Sequence, residues 1–131
     1  MREIKFKIFD MTEKIMCTVY RLEWTDGKLW ADCIPHLKNA TRRVLDAAKN
    51  PLLQYTGLLD RHGKEIWEGD RVKLWIEEKF FAGEVEGVID WSDSQVMIQY
   101  EKGSQLITEL DLNFAEIKVI GNIYETPELT P

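Results

Sequence analysis

Alternation of apolar and polar residues sets the first element of this chain. In Ile4–Phe9, Ile4, Phe6 and Ile8 are interleaved with Lys5 and Lys7. That period of two predicts a half-buried strand with Ile4, Phe6 and Ile8 on its inner face. A second extended segment runs through Ile15, Cys17, Val19 and Arg21 toward Leu22 and Trp24. Thr25-Asp26-Gly27-Lys28 follows, and its Asp-Gly pair predicts a tight turn that returns the chain through Leu29 and Trp30 as a hairpin. The period then changes. Asn39-Ala40-Thr41 offers helix-capping residue types, and Val44, Leu45 and Ala48 recur at spacings of one, three and four. This predicts a short amphipathic helix ending at Asn50, before Pro51.

Beyond Pro51 the texture is that of strands. Val72, Leu74 and Ile76 alternate after Gly69-Asp70, and Glu84–Trp91, Gln95–Tyr100 and Leu106–Leu110 read as further strands between glycine-rich turns. Several short, tightly turned strands favour a closed or nearly closed barrel, because closure removes exposed edges. The expectation is therefore an α+β protein. A strand, hairpin and helix unit occupies residues 1–50, and a small β-barrel with a C-terminal strand occupies 51–131.

Composition narrows the class. Of the 131 residues, 44% are hydrophobic and 11% aromatic, enough for a real core and too many for a disordered chain. No apolar run approaches the roughly 18 residues that cross a bilayer, and the alternating N-terminus does not read as a signal peptide, so a cytoplasmic protein with no membrane partner is expected. In a reducing compartment Cys17 and Cys33 would remain thiols. The net charge of −6 repels phosphate at long range, so generic nucleic-acid coating is disfavoured. Lys38, Arg42, Arg43 and Lys49 would share the predicted helix, where a solvated face explains them best.

Two stretches carry a family resemblance. Gln54–Val72, with its QYTGL opening, Asp60-Arg61-His62-Gly63-Lys64-Glu65-Ile66 turn and Trp67-Glu68-Gly69-Asp70-Arg71-Val72 strand start, resembles the YopX-like pattern. So does Val119-Ile120-Gly121-Asn122-Ile123-Tyr124-Glu125-Thr126-Pro127-Glu128-Leu129, and Ile4–Asp10 is similar to the family's opening strand. Trp67 stands where the pattern commonly has Tyr, and the middle strands match in pattern only. The resemblance implies a phage or prophage protein of Gram-positive bacteria with an SH3-like C-terminal part, tending to self-assemble. It imports no catalytic residues. The residues themselves explain the signature as architecture: Gly57, Gly63 and Gly69 permit turns, and Asp60 and Asp70 suit backbone amides at strand starts.

Candidate chemistry is sparse. Cys33-Ile34-Pro35-His36 has the spacing of half a zinc site, and adding Cys17 still leaves the set incomplete, since a closed structural site takes four ligands and His62 sits in a predicted turn. No metal or cofactor is expected. Cys17 as a nucleophile would need a base and an electropositive setting, whereas a strand's apolar face accounts for it more simply. Asp60, Glu65, Glu68, Asp70, Glu84 and Glu86 form no recognisable acid–base pair, and there is neither a phosphate-binding glycine loop nor a serine-centred elbow. No enzyme is predicted.

Aromatics are the informative excess. Tyr55, Trp67, Trp75 and Trp91 are the candidates for partner binding, with Tyr100 and Tyr124 also in the second half, although core filling accounts for such residues too. The reading is a non-catalytic phage or prophage accessory protein that forms homo-oligomers and binds a host or phage protein. The alternative is an SH3-like binder of single-stranded nucleic acid, a ligand the charge makes the less favoured of the two.

Overall fold

The computed structural model describes residues 3–78, 81–92, 95–100, 103–106 and 117–125. Among them every regular element is a β-strand: β1 (Phe6–Asp10), β2 (Ile15–Thr25), β3 (Lys28–Pro35), β4 (Arg43–Asp46), β5 (Leu52–Leu59), β6 (Glu65–Trp67), β7 (Asp70–Glu78), β8 (Phe81–Ser92), β9 (Gln95–Tyr100), β10 (Gly103–Leu106) and β11 (Lys118–Asn122). The chain divides into two compact units, Met1–Tyr55 and Thr56–Pro131. The division falls inside β5, a few residues beyond Pro51.

The first sheet is six-stranded, in the order β4-β3-β2-β1-β5-β6, and β1–β4 with the start of β5 belong to the first unit. Its central hairpin forms where the sequence predicts it: Trp24 faces Leu29 and Thr25 faces Lys28 across Asp26 and Gly27, whose φ angles of 51° and 76° suit the right-handed twist of the flanking strands. Tyr20 is an extra residue between the Val19–Cys33 and Arg21–Asp32 pairs. This bulge reverses the parity of β2, so Val19 and Leu22 pack on the same core of Ile8, Cys17, Ala31 and Cys33.

The predicted helix is absent, and with it the expected α+β class: the described residues are all-β. Asn39 has φ 60°, outside the helical region, and Arg43–Asp46 extends against β3 with Arg43 facing Cys33 and Leu45 facing Ala31. Alternation then points Leu45 at the core while Val44 is exposed. Asp46 holds the following turn, its Oδ1 accepting Ala48 N–H at 2.8 Å and its carbonyl accepting Asn50 N–H at 3.1 Å. A segment this short gains little as a helix, and tertiary pairing decides its state. Ile4 is also displaced from the expected inner face, lying before β1 and exposed.

In the second unit, β7–β11 form an antiparallel ladder in the order β10-β9-β8-β7-β11. The expected strands near residues 70–76, 84–91 and 95–100 are present, while Leu106–Leu110 falls largely outside the described residues. Among the described residues these five strands follow one another in a single ladder with β10 and β11 at its ends. One face carries the core: Ile66, Val72, Leu74, Ile89, Val96, Ile98, Ile117 and Val119, with Val85, Trp91 and Tyr100 packed against it. At Gly87 a Cβ would sit 2.6 Å from Ile98 Cγ2 and 3.0 Å from the Gln99 carbonyl oxygen, so β8 and β9 approach there as only glycine allows.

Candidate functional site

The family-like motifs meet at Asp60. Its Oδ1 accepts the backbone N–H groups of His62 at 2.8 Å and Lys64 at 2.9 Å, and its Oδ2 accepts that of Val119 at 3.0 Å. Asp60 N–H donates to the Lys64 carbonyl at 2.8 Å, closing a turn in which Gly63 takes φ 79°. Burial alone would raise this carboxyl, but the three amides outweigh it and hold Asp60 below the ordinary carboxylate range. Nearby, Thr56 Oγ1 donates to the Ile66 carbonyl at 2.6 Å, Trp67 N–H donates to Asp70 Oδ2 at 2.8 Å, and Asn122 Oδ1 accepts Tyr124 N–H and Glu125 N–H at 2.9 and 2.7 Å. The signature residues thus tie backbone to backbone, which is an architectural role.

The first unit has a second polar node. Arg43 Nη1 bonds Asp10 Oδ2 at 2.8 Å and also Glu13 Oε2, while Asp10 Oδ1 accepts Thr12 N–H and Glu13 N–H at 2.9 and 3.1 Å. Burial opposes ionisation of Asp10; the Glu13 amide, Arg43 and the Thr12 amide prevail and lower its pKa. The four cations expected on one helix are therefore differently placed: Arg43 holds β1 to β4, Arg42 lies over the Tyr20 ring 4.9 Å from its centroid, and Lys38 and Lys49 are exposed.

Cys17 and Cys33 are both fully buried free thiols. Burial, with the neighbouring Cys17 thiol adding to it, pushes Cys33 up to about 12, and burial also raises Cys17. Such thiols are poor nucleophiles. His36 Nε2 lies 2.7 Å from Thr18 Oγ1, and among the described residues no group of three or more His, Cys, Asp or Glu side chains is arranged to hold a metal ion.

The four aromatic candidates separate sharply. Tyr55 and Trp67 are buried, Lys5 Nζ sits 4.7 Å from the Tyr55 ring centroid, and Trp91 packs on the second core. Trp75 is 48% exposed. It stands on the outer face of β7–β8 directly opposite the exposed Glu84, with Lys73 opposite Glu86 in the next row. Cross-strand partners have Cβ atoms about 5 Å apart, so indole and carboxylate form one contiguous patch. The parity of Val72 and Leu74, both buried, assigns Trp75 to the outside and was a signal available in the sequence. Trp24, on the hairpin and outside the candidate set, is 71% exposed. An exposed indole with flanking carboxylates can bind a protein surface; it offers no nucleophile–base pair.

Fold and site together define a two-unit protein that is all-β over the described residues, whose motif residues build turns and which exposes Trp75 on a strand face and Trp24 on a hairpin. The chain belongs to the YopX protein family, which it matches over residues 5–130. A crystal structure of protein EF1440 from Enterococcus faecalis shares the fold, with a TM-score of 0.61 and 21% identity over 98% of this chain and 99% of that one. No curated protein matches the chain.

Proposed function

We propose that this chain is a non-catalytic phage or prophage accessory protein that self-assembles in the host cytoplasm and engages a host or phage protein. The half-exposed Trp75 on the β7–β8 face carries the reading. Tryptophan buries on the order of 200 Å² when fully covered, so covering the remaining half at roughly 25 cal/mol per Å² is worth about 2.5 kcal/mol, the size of an interface hot spot. Single-stranded nucleic acid, the other ligand of exposed aromatics, is opposed by the net charge of −6. Light scattering over a dilution series at moderate salt is the test. The reading expects a mass above that of the 15.4 kDa chain, falling on dilution. A single 15.4 kDa species at high micromolar concentration would refute self-assembly. Oligonucleotide binding that weakens steeply with salt would replace the protein partner with nucleic acid.

A further inference from the structure

The chain's acidity is not shared between its units. Residues Met1–Tyr55 carry ten Lys and Arg against seven Asp and Glu, a net of +3; residues Thr56–Pro131 carry seven against sixteen, a net of −9, and the two make up the chain's −6. In the first unit several acids are already engaged: Asp10 and Glu13 bind Arg43, and Asp46 caps its own turn. The cations Lys38, Arg42 and Lys49 are exposed and flank β4 in the sequence; β4 is the edge strand of the sheet and also exposes Val44. In the second unit, β8 places Glu84, Glu86 and Asp90 on one face by alternation, opposite Trp75, Lys73 and Met97.

We infer that the β7–β8 face of one copy docks the β4 edge of a second copy, a head-to-tail contact that matches the acidic unit of one chain to the basic unit of the next. Charge complementarity selects this occupant: the β7–β8 face carries Glu84, Glu86 and Asp90 against Arg71 and Lys73, so two such faces meet with like net charge, whereas the β4 edge offers cations. The exposed Val44 supplies apolar surface for Trp75, and the cations around β4 meet the carboxylates of β8. Because the two surfaces differ, each copy carries one of each, and the same contact either closes reciprocally in a pair or repeats into a ring or a filament.

The inference rests on the self-assembly proposed above, and mixing separates the two. One variant reverses the basic edge (Lys38→Glu, Arg42→Glu, Lys49→Glu), and the other reverses the acidic face (Glu84→Lys, Glu86→Lys). Each retains one intact surface. Sedimentation at low salt should show wild type associated, each variant alone weakened about tenfold or more, and an equimolar mixture associating again, because intact face meets intact edge and the reversed face and edge are once more opposite in charge, the whole dispersed by high salt. Circular dichroism of each variant checks that it is folded, and a Val44→Asp, Trp75→Asp pair tested by the same mixing replaces either variant that is not. Wild type that associates equally at low and high salt, folded variants that still associate alone, or a mixture that stays monomeric would each overturn the head-to-tail contact while leaving self-assembly standing. A monomeric wild type overturns both.

Discussion

Replacing Asp60 is the sharpest stability test, because one carboxylate serves three backbone amides from two separate stretches of chain. In Asp60→Asn, the side-chain oxygen can still accept from His62 and Lys64, but an amide NH2 then faces Val119 N–H, 3.0 Å from the present oxygen. A charge-assisted bond worth about 1.5–3 kcal/mol becomes a donor facing a donor, and a buried amide left unmade costs about 1–3 kcal/mol more. The expected loss is about 2.5–6 kcal/mol, a large part of the roughly 5–15 kcal/mol available to a domain. Asp60→Ala should cost at least as much. Urea unfolding gives the free-energy difference, and a pH series adds an independent signature. Because the folded-state pKa of Asp60 is lowered, its stabilisation is present above the unfolded carboxylate range near 4 and disappears as pH falls through the folded value. The wild-type advantage over Asp60→Asn should therefore shrink in acid. A difference under about 0.5 kcal/mol at neutral pH, or one that grows in acid, would show that the turn is not held in this way.

Gly87→Ala should destabilise by about 1–3 kcal/mol in the same unfolding assay, since the added methyl meets Ile98 and the Gln99 carbonyl, whereas relief of a glycine in an open strand would stabilise. Alkaline pH should weaken the fold from about 8.5 upward, because Cys33 keeps its proton to about 12 when folded and an unfolded thiol does not; each such thiol costs about 1.4 kcal/mol per pH unit, and Cys33→Ala should flatten thermal midpoints across pH 8.5–10.5. Thr56→Val should lose about 1–2 kcal/mol by chemical denaturation, as its hydroxyl donates to Ile66 and accepts from Leu58.

Local chemistry made parts of this fold readable. Asp26-Gly27 fixed the β2–β3 turn because few other residue pairs accept two successive positive φ angles, and Val72 and Leu74 declared the inward face of β7. The Arg43–Asp46 strand was not readable. Val44 and Leu45 suit a helix as well as a strand over so short a stretch, and pairing with Ala31 and Asp32 of β3, unseen in local pattern, decided it. The Tyr20 bulge had the same character, since an extra residue reverses inside and outside without any sequence mark. The Trp residues show the limit for the site: Trp67 is buried and Trp75 exposed, and only the strand parity around each, not the residue type, distinguishes them.

The central claim is that the motif residues build the fold while the Trp75 face binds. Trp75→Ala, measured by sedimentation alongside urea unfolding, tests both halves in one protein. The account predicts an unfolding midpoint close to wild type with self-association weakened roughly 30- to 100-fold, the equivalent of about 2–2.7 kcal/mol. Undiminished association, or a collapse in stability with association lost only through unfolding, would contradict it.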